Sequence, residues 1–117
     1  MGISDLIPTG KRQAISRPIL VGRAIDFGIV SKDVVDPDRA VRQLIADARK
    51  NEVILFNPSG GYFKPDVTSV EDMQELGKYI RAEDRRAISI FSNLKFAKKF
   101  YEDYKADRLE VKTLYEE

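Results

Sequence analysis

Arg39, Arg42, Gln43 and Arg49 recur on one side of a segment whose other side is apolar. Guanidinium and carboxamide groups on an exposed helix face form hydrogen bonds in pairs. An arginine can grip guanine with two N–H groups, and a glutamine can donate to and accept from adenine in the same bidentate way. This is chemistry of recognition, not of bond breaking. Lys64, Arg17, and Ser59 with the N–H groups of the glycines beside it would suit phosphate oxygens, which position a duplex without reading it. Lys11 and Arg12 lie near Arg17 in the chain and could add to these contacts. Asp47 stands among the arginines and would repel phosphate. The same arginines could also be nothing more than the solvated face of a core helix.

Bond-breaking chemistry finds little support. The chain has no histidine and no cysteine. It therefore lacks the commonest general base, the commonest transition-metal ligand and any thiolate site. Asp26-Phe27-Gly28 copies a kinase magnesium triplet, but no glycine-rich loop or catalytic-loop signature accompanies it. Thr9-Gly10-Lys11 echoes a phosphate-binding loop, yet Asp5 stands where that loop needs its first glycine. Asp33, Asp36 and Asp38 lack the following glycine and distal glutamate of a calcium loop. Glu83 and Asp84 are adjacent on a helix and point in different directions, which makes them a poor catalytic pair. The expectation is a non-enzyme with no cofactor and no metal.

Composition narrows the class further. A chain of 117 residues, 43% hydrophobic and 33% charged, fits a small globular protein. No apolar run reaches the ~18 residues of a membrane span. Residues 1–10 lack the layout of a secretory signal. Together with the missing cysteines, this suits a cytoplasmic protein. The net charge is only +1, but its distribution is uneven. Residues 10–64 carry ten Lys/Arg against six Asp/Glu, and residues 65–117 carry ten against twelve. The basic half is the one that holds the recognition-type residues.

Those residues need elements to position them. Residues 3–10 end in turn formers and predict a helical turn or an extended arm. Ser16 before Arg17-Pro18 reads as an N-cap, and Ile19, Leu20, Ala24 and Phe27 make a short amphipathic helix ending near Gly28. Residues 29–35 read as a connector that offers Ile29 and valines to the core. Asp36-Pro37-Asp38 restarts a helix, with Asp36 as cap, Pro37 in the first turn and Asp38 at the positive end of the dipole. Val41, Leu44, Ile45 and Ala48 form its buried stripe. Residues 53–56 and 62–64, parted by Asn57-Pro58-Ser59-Gly60-Gly61, predict a β-hairpin. A lone hairpin is marginal and should pack on the two helices before it.

Ser69 can cap a last helical segment. From Met73 the apolar residues step by three and four through Leu76, Ile80, Ala87, Ile90, Leu94, Ala97, Tyr101 and Tyr104, with Glu83 the one defect. Such spacing is a heptad seam. Ile88, Phe91, Phe96 and Phe100 widen it beyond what one small domain can cover, which points to a homodimer through Met73, Leu76, Ile80, Ile90, Leu94 and Tyr101. Lys95, Lys98 and Lys99 read as a solvated face. The segment is either one long helix or two, broken near residues 81–86. Residues 107–117 are charged and expected to fray.

The order helix, connector, helix, hairpin is that of a winged helix-turn-helix. The segments Ile3-Ser4-Asp5-Leu6-Ile7-Pro8-Thr9-Gly10-Lys11, Ala14-Ile15-Ser16-Arg17, Val41-Arg42-Gln43-Leu44-Ile45-Ala46-Asp47-Ala48-Arg49 and Gly60-Gly61-Tyr62-Phe63, with Arg85-Arg86-Ala87-Ile88-Ser89-Ile90 in the tail, resemble the small winged-helix proteins encoded by phages and prophages of bacteria. The resemblance spans residues 3–101, and residues 26–35 depart from it by a longer connector. It implies a DNA-binding role. The expected architecture is mainly α (α+β): a winged helix-turn-helix over residues 1–66, with a two-stranded wing, and a long C-terminal helical extension over 67–117. The expected partner is double-stranded DNA, bound through Arg39, Arg42, Gln43, Arg49, Lys64 and Arg17, in the manner of a transcriptional regulator. The alternative is a protein-interaction module that binds or inhibits a host protein through the same surface.

Overall fold

A computed structural model describes the backbone of residues 1–116 and the side chains of residues 1–107. The chain is mainly helical with one small antiparallel sheet. Two short 3-10 turns, Ile3–Leu6 and Lys11–Gln13, precede α1 (Arg17–Asp26), α2 (Pro37–Ala48), β1 (Leu55–Asn57), β2 (Gly61–Phe63) and α3 (Val70–Glu116). Contacts group residues 1–79 into one compact unit and residues 80–117 into a second. The first unit therefore runs past residue 66 and takes in the first ten residues of α3.

Local chemistry explains the helix ends. Pro18 occupies the first turn of α1, and Ser16 holds the cap position. The Ser16 side chain makes no capping bond, contrary to the sequence expectation. Its neighbour Ile15 is tied to Tyr62, which places Ser16 as the last extended residue before the helix. At the other end Gly28 takes φ +74°. The Gly28 N–H donates to the Ile25 carbonyl at 3.0 Å, and the Ile29 N–H donates to the Ala24 carbonyl at 2.9 Å. This paired bonding around a left-handed glycine satisfies carbonyls that the end of a helix would otherwise leave bare. In α2, Asp36 Oδ1 accepts from the Arg39 N–H at 3.0 Å, as its capping sequence requires.

The hairpin pairs Leu55 with Phe63, Phe56 with Tyr62 and Asn57 with Gly61. Its first strand begins later than the apolar run suggests. The Ile54 carbonyl is taken by Arg49 Nε at 3.0 Å, so Ile54 contributes its side chain to the core but stays out of the ladder. Asn57 Oδ1 accepts from the Ser59 N–H and hydroxyl, which tightens the turn. A third chain segment completes the sheet: Ile15 and Tyr62 exchange two backbone bonds of 2.9 and 2.8 Å. The hairpin is thus not left alone, and its instability as an isolated pair is relieved.

One core serves the first unit. Ile3, Ile7, Ile15, Leu20, Ala24, Val30, Val41, Ile45, Ile54 and Tyr62 are buried together. Each large aliphatic side chain removed from water here contributes on the order of 1.5–3 kcal/mol. Of the connector residues, Val30 fills the core, Ile29 packs at its edge, and Val34 and Val35 face solvent.

The start of α3 is clasped to the N-terminal arm. Ser69 Oγ accepts from the Asp72 N–H at 3.2 Å, the expected cap. Asp72 is itself buried, and its carboxylate accepts from the Lys11 N–H at 3.2 Å and the Asp66 N–H at 2.9 Å. The Lys11 ammonium reaches Glu71 at 3.2 Å and Glu75 at 3.4 Å. Lys11 is therefore committed to α3. From there α3 is one helix through residues 81–86, which resolves the one-or-two question left by the seam. The backbone stays helical to Glu116, across the segment expected to fray, while the side chains beyond residue 107 lie outside the described residues.

Candidate nucleic-acid interface

Helix α2 separates two kinds of side chain. Val41 and Ile45 point into the core, with Leu44 and Ala48 beside them, while Arg39, Arg42, Gln43 and Arg49 are exposed. The amphipathic spacing that buries one stripe necessarily turns the other outward. Gln43 Nε2 donates to Asp47 Oδ1 at 3.3 Å, one turn on. Arg39 makes no side-chain bond or ion pair among the described residues. Arg49 differs from its neighbours: its Nε holds the Ile54 carbonyl, so it braces the entrance to the hairpin.

Asp38 ties two of the expected contact residues together. Its Oδ1 lies 2.7 Å from Arg17 Nε, and its Oδ2 lies 3.0 Å from Arg42 Nε. The Tyr62 hydroxyl and, after it, the Asp38 charge push the Arg17 guanidinium above its already high ordinary range. The Tyr62 ring packs against Phe56 with centroids 4.9 Å apart. Residues from α1 and α2 thus meet at the surface in a cluster of two cations and one anion, with the buried Tyr62 of β2 acting on Arg17. The Arg42–Asp38 pair was legible from its four-residue spacing, a recurrent helix pairing. The Arg17 and Tyr62 contributions carry no local signal.

Other expected residues lie apart from this cluster. Lys64 is half-buried just past β2; its carbonyl accepts from the Gly10 N–H at 2.7 Å, and its own N–H donates to Pro8. Ser59 and its N–H are both directed to Asn57. Asp66 accepts from the Thr68 hydroxyl and N–H, which hold its carboxyl below the usual range. Among the described residues no group of His, Cys, Asp or Glu could hold a metal ion.

The seam residues present a different surface. Met73, Ile80, Ile90, Leu94 and Tyr101 are between 40% and 57% exposed, and Leu76 is half-buried. Ile88, Phe91, Phe96 and Phe100 are exposed as well. No described helix is long and apolar enough to cross a membrane. Comparison of the chain with family models, with curated proteins and with solved structures returns no match.

Proposed function

We propose that the chain is a winged helix-turn-helix that reads double-stranded DNA with the outer face of α2. The observation that carries this reading is the exposed set Arg39, Arg42 and Gln43 on a helix fixed to the core by Val41 and Ile45 and followed directly by a hairpin. In this account α2 enters the major groove. Arg42 and Arg39 address guanine and Gln43 addresses adenine. Arg17, Lys64 and the free end of Arg49 hold phosphates on either side. The exposed seam of α3 brings two copies together, so that two half-sites are read by a two-fold dimer. A regulator of phage or prophage type fits this arrangement.

A second reading has its own observation. Asp38 already engages Arg17 and Arg42, and Asp47 engages Gln43, so the face is less cationic than its arginines suggest. Such a mixed face suits a protein partner. The two readings separate in a fluorescence-anisotropy titration against a randomised duplex pool at two salt concentrations, with sequencing of the bound fraction. DNA reading predicts an enriched motif and an affinity that falls steeply with salt. No binding at low salt would transfer the face to a protein partner.

A further inference from the structure

Residues 85–101 of α3 contain Arg85, Arg86, Lys95, Lys98 and Lys99 and no acidic residue, although Glu83-Asp84 precede them and Glu102-Asp103 follow. Some cations of the helix find partners three residues away: Lys78 with Glu75 at 3.8 Å, Arg86 with Glu83 at 4.0 Å and Lys105 with Glu102 at 3.7 Å. Arg81, Arg85, Lys95, Lys98 and Lys99 have no ion pair or side-chain hydrogen bond among the described residues. All five are exposed.

Four of the five share one side of the helix, while Lys98 falls about 100° away, level with Ile80 on the seam. At about 100° per residue, Arg81, Arg85, Lys95 and Lys99 fall within an arc of roughly 80°, centred about 150° from the seam of Ile80, Ala87, Ile90, Leu94, Ala97 and Tyr101. Arg81–Arg85 and Lys95–Lys99 are like-charge pairs one turn apart, an arrangement that opposes helix formation when nothing covers it. A polyanion laid along the stripe reverses that sign. The stripe is about 27 Å long at 1.5 Å per residue, enough to follow several successive phosphates.

We infer that this stripe is a second, sequence-independent binding surface for the phosphate backbone of nucleic acid. An anionic bilayer is the less favoured partner. A surface helix needs one apolar face to bury with its cations beside it, and here exposed apolar residues run all round the helix, from the seam through Phe91 and Ile88 to Phe96 and Phe100, and leave no single face to bury. A second copy covering the seam would leave the stripe open. The inference extends the DNA-reading proposal but does not use base readout, so either can fail alone.

The test uses the full chain and the variant Arg81→Gln/Arg85→Gln/Lys95→Gln/Lys99→Gln, with circular dichroism and sedimentation to confirm parental helix content and assembly. The probe is a labelled duplex of about 30 base pairs of arbitrary sequence, titrated at about 50, 100 and 200 mM salt. Each phosphate contact contributes about 0.9 to the slope of log affinity against log salt, so the variant's slope is expected to fall by up to about 3.6 units. Low-salt affinity should drop tenfold or more, while any motif selected from a random pool stays the same. The pairs Arg81→Gln/Arg85→Gln and Lys95→Gln/Lys99→Gln should each give part of the loss, and they carry the test if the fourfold variant misfolds. Unchanged slope and affinity would overturn the inference. So would loss of binding to phosphatidylserine vesicles with duplex binding intact, which would assign the stripe to lipid.

Discussion

Replacing Gly61 with alanine should unfold the junction on which the hairpin depends. Gly61 opens β2 with φ +111°. A Cβ at that position would lie 2.0 Å from the Ile15 carbonyl oxygen, 2.5 Å from its carbonyl carbon and 2.8 Å from Ser16 Cα. All three are backbone atoms, so no rotamer change relieves the clash. The segment at Ile15 must move away, and its two bonds with Tyr62 go with it. Two hydrogen bonds at about 1 kcal/mol each, and about 1–3 kcal/mol for an L-residue held at this φ, give a loss of about 3–5 kcal/mol. With an m-value of about 1–3 kcal/mol/M, the urea midpoint falls by about 1–5 M. The assay is urea unfolding at matched protein concentration, paired with amide exchange at Ile15 and Tyr62, which should lose protection first. Gly60→Ala is the internal control. Its Cβ would meet Ala14 Cβ at 3.3 Å and Asn57 Nδ2 at 3.4 Å, both side-chain atoms, and φ there is not positive. It should cost less than about 1 kcal/mol. A Gly61→Ala protein within about 1 kcal/mol of the parent, or equal losses at the two glycines, would show that the Ile15 junction tolerates a Cβ at this position.

Asp72→Ala strands the N–H groups of Lys11 and Asp66 in a part-buried clasp; a loss of about 2–4 kcal/mol is expected, with faster exchange at those two amides as the check. Asp38→Asn removes the carboxylate shared by Arg17 and Arg42. Duplex affinity at low salt should then rise several-fold in anisotropy titrations, whereas a fall would mean that Asp38 holds the arginines in place for binding. Thr68→Ala deletes the hydroxyl that does most to hold the Asp66 carboxyl low, so carbon-detected NMR titration should find that carboxyl moved back up. The sign for stability follows: a carboxyl depressed by folding stabilises above its unfolded value and loses that contribution as pH falls through the folded one. Thr68→Ala should therefore flatten the acid limb of the stability profile.

What was legible in the chain was local. Asp36-Pro37-Asp38 marks a helix start because cap, proline and dipole act within one turn, and Asp36 bonds Arg39 accordingly. Ser69 caps α3 for the same reason, and Gly28 ends α1 because its left-handed φ suits no other residue as well. The buried stripe of α2 follows from 3.6-residue periodicity, and so does the exposed face opposite it. What was not legible joins distant positions. Ile15 pairs with Tyr62, Lys11 meets Asp72 across 61 residues, and Arg17 reaches Asp38. No short-range pattern encodes these contacts. They arise only when the core brings three segments together. Ser16 shows the reverse case: its local capping signal is strong, yet the neighbouring tie between Ile15 and Tyr62 coincides with a hydroxyl that makes no cap. Arg49 likewise reads as one more surface cation, but the chain turns back and hands it the Ile54 carbonyl.

If the α2 face reads bases, Arg42 is the residue to remove first. Parent and Arg42→Ala should be taken side by side through selection from a randomised duplex pool, with the bound fractions sequenced and the best sites titrated. The parent should select a defined motif and the variant should lose preference at one position, with a cost of about 1–3 kcal/mol on the parent's best site and little change on arbitrary duplex. A parent that selects no motif, or a variant that selects the same motif with the same affinity, would contradict base reading by α2.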